Sequence, residues 1–112
     1  MTKRKISPAF KLWFQIGEDY VFGEGAYELL EQIRKKKSIS AAAKASRMSY
    51  RYAWAHIKEI EKHLGESIVK TQKGGKQGGK TEITKEGLSL LTRYKRLKEL
   101  MTKVCEEETS QK

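Results

Sequence analysis

The sequence has few of the residues and runs that would tie the chain to the cell exterior or to a membrane. It contains one cysteine, Cys105, and one proline among 112 residues. A single cysteine excludes an internal disulfide, which suits a reducing compartment. No apolar run approaches the roughly 20 residues that a membrane-spanning helix needs. The basic start leads into a stretch too short and too mixed for a signal peptide. We expect a soluble, cytoplasmic and nucleoid-associated protein without a membrane partner.

Groups suited to catalysis or metal binding are equally scarce. Asp19 is the one aspartate of the chain, and His56 and His63 are its two histidines. Neither histidine has a partner at metal-ligand spacing, and no combination of serine, histidine and acid stands out. The sequence therefore predicts no enzyme activity, no bound metal and no cofactor.

What the chain has in excess is positive charge, and that charge is concentrated in one segment. The formal net charge is +10. Residues 34–80 hold 13 Lys and Arg and three acidic residues, whereas the rest of the chain holds 11 of each sign. A uniformly solvated surface would not give this asymmetry, and it is typical of a face that binds a polyanion.

Periodicity predicts a single domain over residues 1–112 that is mainly α with a small β-sheet. Strand-like residues occupy 10–17, and a second short strand or tight turn follows. A helix over 24–36 has apolar residues at helical spacing and basic residues at its end. Ser40 is predicted to cap a short alanine-rich helix over 41–46. Ser49 caps a third helix that Gly65 ends.

The second half of the chain predicts a hairpin and a long helix. Strand-like segments flank a glycine-rich basic tip, and Thr84 caps a helix over residues 85–107. Its apolar residues recur at a coiled-coil spacing, which predicts a dimer seam. That seam consists of Leu90, Tyr94, Leu97, Met101 and Val104. Residues 1–9 are expected to form a flexible basic arm, and residues 108–112 a disordered tail.

The stretch GGKQGGKT, residues 74–81, satisfies the phosphate-binding loop pattern of nucleotide hydrolases. That loop should open directly into a helix, but the following TEIT is strand-like. The required later acidic residue on a strand is missing too, because Asp19 precedes the loop. We therefore interpret the stretch as the tip of a hairpin that contacts DNA, with a solvated loop as the alternative.

A short helix, a brief turn and a longer helix with a basic outer face form the helix-turn-helix pattern, and the hairpin after it adds a wing. In such a fold the second helix enters the major groove. The residues assigned to DNA contact are Ser38, Ser40, Arg47, Ser49, Tyr50, Arg51, Tyr52, Lys58, Lys73, Lys76, Gln77 and Lys80. Packing is as plausible as contact for Tyr50, and solvation as plausible as contact for Lys58. Trp54 is assigned to the core rather than to base readout.

The motifs SISAAA, SYRYAW, IEKHLG, the glycine-rich wing and ITKEG resemble the DNA-binding domain of the molybdate-responsive ModE regulators. The likeness spans about 10–104 and extends more distantly to LysR-type proteins. It implies a winged helix-turn-helix that binds double-stranded DNA as a homodimer through its first strand and terminal helix. The sequence has no counterpart of the family's molybdate-binding C-terminal domains, so it implies no molybdate sensing. A separate effector-binding partner stays open.

Two functions therefore compete at this stage. One is a sequence-specific transcriptional regulator that acts as a homodimer. The alternative is an architectural or chromatin protein that coats DNA without choosing a sequence, which high charge and small size fit equally well. Specificity for one site separates the two.

Overall fold

The structure is a computed structural model that describes residues 4–72 and 79–110. It confirms a mainly helical chain with little sheet. In chain order the elements are β1 (Phe14–Ile16), β2 (Asp19–Phe22), α1 (Glu24–Lys36), α2 (Ile39–Ala45), α3 (Tyr50–Leu64), β3 (Val69–Gln72), β4 (Lys80–Ile83) and α4 (Lys85–Ser110). In the described ranges, no helix has both the length and the apolar character to cross a membrane.

Helix α1 has the predicted bounds, and its apolar stripe forms the centre of the core. The buried residues of the stripe are Ala26, Leu29, Leu30 and Ile33. Glu24 lies in the first turn and three basic residues lie in the last, so both ends complement the helix dipole. The helix ends at Lys37, which adopts a left-handed conformation with φ 57°.

Helix α2 is capped by Ser38 and not, as the sequence predicted, by Ser40. The Ser38 hydroxyl accepts a hydrogen bond from the Ala41 amide at 3.1 Å. Ser40 lies inside the helix, and its side chain is exposed. The helix starts earlier because Ile39 is buried as part of its apolar face. Two buried alanines, Ala42 and Ala43, let α2 pack closely against the neighbouring helices.

The strands form two separate antiparallel sheets of two strands each. β1 pairs with β2, so the predicted first strand is shorter than expected and ends at Ile16. β3 pairs with β4 in the register Thr71↔Thr81, which confirms the predicted hairpin. Thr81 also joins the hairpin to the body, because its amide donates to the Lys37 carbonyl at 2.9 Å.

Helix α4 begins against the base of the hairpin. The Thr84 hydroxyl accepts from the Gly87 amide at 3.0 Å and donates to the Ser67 carbonyl at 2.7 Å. Gly87 is required there, because a Cβ atom on it would lie 2.3 Å from the Ile68 carbonyl oxygen. The close approach of α4 to this hairpin therefore depends on a residue without a side chain.

The C-terminal end differs from the sequence prediction where the structure describes it. α4 continues to Ser110, so residues 108–110 are helical and not part of a tail, since no glycine or proline interrupts the helix after Gly87. Residues 4–9 have no regular secondary structure. Residues 7–10 line a groove of about 540 Å³ together with four residues on the last turns of α4, namely Thr102, Cys105, Glu106 and Thr109. Residues 1–3 and 111–112 lie outside the described ranges.

Candidate nucleic-acid interface

The N-terminus of α3 presents a group of exposed side chains directly after the helix-turn-helix turn. The Ser49 hydroxyl caps the helix by accepting from the Tyr52 amide at 3.0 Å. Tyr50, Arg51 and Tyr52 are all exposed. Tyr50 is therefore not packed in the core, and its contact with DNA stays a prediction. Ser49, in contrast, has its side-chain oxygen committed to the cap, although the hydroxyl can still donate.

The turn between α2 and α3 is tight and places a cation at its apex. Arg47 has a φ of 59°, which a residue with a side chain seldom adopts. Backbone hydrogen bonds hold this shape, since the Arg47 amide donates to the Lys44 carbonyl and the Met48 amide to the Ala43 carbonyl. The Arg47 side chain is exposed. The turn therefore directs the chain from α2 into α3 while leaving this guanidinium accessible.

One face of α3 carries exposed side chains at helical spacing, opposite the buried stripe of Ala53, Ile57 and Ile60. Its exposed members are Arg51, Trp54, Ala55, Lys58 and Lys62. Trp54 is 39% exposed, so its assignment to the core was wrong. Ala53, Ile57 and Ile60 form the buried stripe without Trp54. Because Trp54 follows Ala53 directly in the helix, its side chain points to the side of that stripe.

Two exposed aromatic residues of α3, Trp54 and Tyr52, pair with polar neighbours one turn later. The Lys58 ammonium lies 4.2 Å from the centroid of the Trp54 ring, at cation–π distance. The Tyr52 and His56 rings stack with centroids 5.8 Å apart. Burial lowers the pKa of His56 below its ordinary value, so its imidazole is neutral at pH 7. His56 itself is half-buried.

Lys58 also has an acidic partner, Glu61, whose Oε1 lies 3.1 Å from its ammonium nitrogen. Glu61 is a residue that sequence reasoning missed. Its other oxygen accepts hydrogen bonds from the backbone at the start of the wing. No helical or strand periodicity indicates that contact, because it joins residues seven and eight positions apart across the end of a helix.

The wing presents alternate residues to solvent. Lys70, Gln72, Lys80 and Glu82 lie on one face of the β3–β4 hairpin, opposite Thr81, which is buried. The Lys80 ammonium is 3.8 Å from the Glu82 carboxylate, and both side chains are about half exposed. Such a pair is weak and leaves Lys80 available to a stronger anion. The predicted contacts Lys73, Lys76 and Gln77 lie outside the described residues.

The pairing of the hairpin argues against a phosphate-binding loop at GGKQGGKT. Lys80 and Thr81 are the last two residues of the GGKQGGKT stretch, and both belong to β4, which pairs antiparallel with β3. A phosphate-binding loop instead leads from its lysine into a helix. Separately, residues 4–72 and 79–110 contain no group of three His, Cys, Asp or Glu side chains able to hold a metal ion.

The predicted dimer seam on α4 divides into two parts. Leu90 and Tyr94 are buried within the protomer, 8% and 1% exposed, so they are core residues and not part of a free surface. The three remaining seam residues are at least partly accessible, and Leu100, which the seam did not include, is exposed beside them. Leu100 had a signal in the sequence, because it lies four residues before Val104.

Comparison with known proteins identifies the domain. Residues 25–88 match the model of the lysR family of bacterial regulatory helix-turn-helix proteins. The molybdenum transport protein ModE of Azotobacter vinelandii is 38% identical over 69 residues, which are 62% of this chain and 26% of that protein. The DNA-binding transcriptional dual regulator ModE of Escherichia coli (strain K12) is 35% identical over 75 residues, 67% of this chain and 29% of that protein. The molybdenum-pterin-binding protein MopA of Rhodobacter capsulatus is 28% identical over 81 residues, 72% and 31% of the two chains.

The chain thus matches under a third of the length of these three relatives. The resemblance to ModE seen in the sequence is confirmed. The family model, in turn, covers more than half of the chain, from α1 through the wing to the first turn of α4. The chain therefore belongs to the lysR family of bacterial regulatory helix-turn-helix proteins, which are DNA-binding transcriptional regulators.

Proposed function

We propose that this chain is a sequence-specific, double-stranded-DNA-binding module of a cytoplasmic transcriptional regulator and that it acts as a homodimer. The observation that carries the proposal is the capped N-terminus of α3, which exposes Tyr50, Arg51 and Tyr52 directly after a helix-turn-helix turn. The segment with the whole excess positive charge, residues 34–80, surrounds it. Charge attracts the duplex, and the exposed end of α3 reads it.

In this arrangement α3 lies in the major groove with its N-terminal turn against the base edges. Arg51 supplies a planar fork of donors that matches the two acceptors of guanine. Ser40 and Arg47 approach backbone phosphates from α2 and the turn. The wing adds Lys70 and Lys80, and the sequence between its two strands contains three further predicted contacts, Lys73, Lys76 and Gln77. Phosphate contacts fix the position of the protein, and base contacts give the sequence preference.

The homodimer is built by the far part of α4. A helix of 26 residues is about 39 Å long, and beyond Tyr94 no described residue of it is buried. Leu97, Leu100, Met101 and Val104 form an apolar stripe there that the protomer does not cover. Pairing two such stripes buries them and places two recognition helices on half-sites about 34 Å apart.

The combined substitution Met101→Glu and Val104→Glu is expected to yield a folded monomer at micromolar concentration, because it places two charges in a stripe that must be buried between protomers. Sedimentation velocity measures the mass, and circular dichroism measures helicity. Lys95→Gln with Lys103→Gln is the matched control, since it lowers the net charge equally on other faces of α4. A double glutamate variant that still sediments as a dimer would show that α4 does not form the interface.

The proposal as a whole is tested by selecting binding sites from a random duplex library and titrating the winners with salt. A regulator should select a pseudo-palindrome and prefer it by about 10³-fold or more over unrelated duplex at 0.2 M salt. An architectural protein should bind all sequences alike, with the same steep decline of affinity with salt. The second result would sink sequence-specific regulation and leave DNA coating as the function.

A further inference from the structure

Glu61 joins the recognition helix to the wing. Its Oε2 accepts from the Ile68 amide at 2.8 Å and lies 3.4 Å from the Val69 amide nitrogen, at the start of β3. Its Oε1 accepts from the Lys58 ammonium at 3.1 Å. The side chain is only 11% exposed. A carboxylate that accepts from backbone amides makes a charge-assisted hydrogen bond, which is stronger and shorter than a neutral one.

The base of the wing also packs on the body of the domain, since Thr81 is buried and Val69 and Ile83 lie against the hydrophobic core. β3 and β4 pair only with each other in the described ranges, and a two-stranded hairpin by itself is marginally stable. The Thr81 amide binds the end of α1, and Thr84 binds the backbone of residues 67 and 68. Neither contact involves α3. Among the hydrogen bonds of the described residues, those that Glu61 accepts join α3 to the start of β3.

We propose that Glu61 is a positioning residue that fixes the wing relative to the recognition helix, so that both elements contact one duplex at the same time. This inference rests on the proposed DNA-binding function. Wing contacts made by a fixed hairpin are intramolecular once α3 is bound, and they need little further ordering. Without the Glu61 hydrogen bonds the start of β3 is held to α3 less firmly and must be ordered further at the moment of binding, so the lysines of the wing contribute less.

The positioning role predicts that replacing Glu61 weakens DNA binding, whereas its charge alone predicts the opposite. Removing an acidic residue from a DNA-binding helix should by charge alone strengthen DNA binding, because the phosphate backbone repels carboxylates. Glu59 lies on the same helix and is 62% exposed, with no contact to the wing. Glu59→Gln therefore has the same charge change as Glu61→Gln without its structural effect. Only the positioning role predicts opposite signs for the two variants.

The first experiment measures binding of a 20-base-pair duplex of arbitrary sequence by fluorescence anisotropy over a salt series. Glu59→Gln is expected to bind slightly more tightly than the wild type. Glu61→Gln is expected to bind about 3- to 10-fold more weakly than the wild type, and Glu61→Ala more weakly still. Equal affinities for the two glutamine variants would overturn the proposal. Glu61→Gln keeps one acceptor oxygen, so it tests the proposal even if the alanine variant fails to fold.

A double-mutant cycle separates positioning from stability. Replacing Lys70 and Lys80 with alanine should lower the affinity of the wild type and reduce its salt slope by about 0.9 for each phosphate that the wing no longer neutralises. In the Glu61→Gln background the same replacement should have less than half that effect. Strictly additive effects would contradict the proposal, because a merely stabilising residue does not change what the wing lysines contribute.

Hydrogen exchange in the free protein tests the positioning role of Glu61 separately from the proposed DNA-binding function. The Ile68 amide should be protected in the wild type and in Glu59→Gln, and should lose protection in Glu61→Gln while the amides of α3 keep theirs. Unchanged Ile68 protection overturns the positioning role. If Ile68 behaves as expected but the wild type binds no duplex at any salt concentration, the proposed function fails and the inference fails with it. Additive effects in a protein that does bind DNA overturn the inference alone.

Discussion

Replacing Arg51 with alanine is expected to weaken binding to the selected duplex by about 1–3 kcal/mol, or roughly 5- to 150-fold. Arg51 is the second residue of α3, and its side chain is exposed without a carboxylate partner among the described residues. The guanidinium is therefore free to form a bidentate contact with a guanine. Binding to unrelated duplex should fall much less, because only one charge is removed. Competition binding against single-base variants of the site measures both effects and shows which base pair loses its preference.

Two control variants separate base readout from charge at Arg51. Arg51→Lys keeps the charge but loses the planar fork, so it should keep non-specific affinity and lose discrimination at the same base pair. Lys62→Ala removes a cation from the same face of the helix, eleven residues further from its N-terminus. It should weaken binding to all duplexes alike and reduce the salt slope by about 0.9. If Arg51→Ala behaves in the same way as Lys62→Ala, then Arg51 contacts phosphate and not a base.

The helices could be predicted from the sequence because each has a signal that is local. The stripe of α1 repeats with helical spacing, and Ser49 and Gly65 mark the two ends of α3. These features depend on residues within one or two turns of each other, and the structure reproduces them. The wing followed in the same way, from two strand-like segments on either side of a glycine-rich stretch.

The helix cap that was wrong depended on a contact between distant residues. Ser38 and Ser40 are both good caps, and the sequence offers no local reason to prefer one. In the structure Ile39 is buried and begins α2, and Lys37 just before it lies against the wing, where its carbonyl accepts from the Thr81 amide. Because that hydrogen bond spans 44 positions, periodicity could not reveal which serine lies at the start of α2.

The apolar pattern of the sequence also did not predict the exposure of the aromatic residues on α3. Apolar character suggested the core for Trp54, whereas the structure exposes it beneath the Lys58 ammonium. The core at that level is already filled by Ala53 and Ile57. A large residue beside a complete buried stripe is left on the surface, near the exposed residues at the start of α3. The departure from the sequence pattern therefore falls within the candidate site.

The a/d pattern of α4 predicted one continuous dimer seam, but the structure uses the same spacing for two purposes. Leu90 and Tyr94 pack inside the protomer, and the residues from Leu97 onward do not. Apolar spacing reports that a face is buried and not which partner buries it. The division occurs at Lys98, whose ammonium pairs with Glu24 of α1. Beyond this pair α4 leaves the body of the domain.

Replacing Tyr94 with alanine is expected to lower the free energy of unfolding by about 3–5 kcal/mol, a large part of the stability of a small domain. The Tyr94 ring packs against three aromatic rings from β1, β2 and α1, namely Phe14, Phe22 and Tyr27, with centroids 4.9–5.6 Å away. Its hydroxyl lies 2.9 Å from both the Leu12 carbonyl and the Glu24 carboxylate. Burial, aided by Glu24, raises the pKa of Tyr94 above its ordinary value, so the hydroxyl is protonated and able to donate at neutral pH. Urea unfolding followed by circular dichroism measures the loss of stability.

The Tyr94→Phe variant separates the contribution of the ring to stability from that of the hydroxyl. The phenylalanine variant should lose about 1 kcal/mol, because the ring stays and only the hydrogen bond to two acceptors is removed.

The dependence of stability on protein concentration shows whether Tyr94 acts in the protomer core or in the dimer interface. Replacing a residue of the protomer core destabilises each chain by the same amount at every protein concentration. A residue of the dimer interface would leave a folded monomer and change stability only through association, which depends on concentration. Tyr94→Ala in the background of Met101→Glu and Val104→Glu should therefore still lose about 3–5 kcal/mol, since the monomer alone contains the whole aromatic cluster. A loss of stability that disappears in this monomeric background would return Tyr94 to the seam that its sequence spacing first suggested.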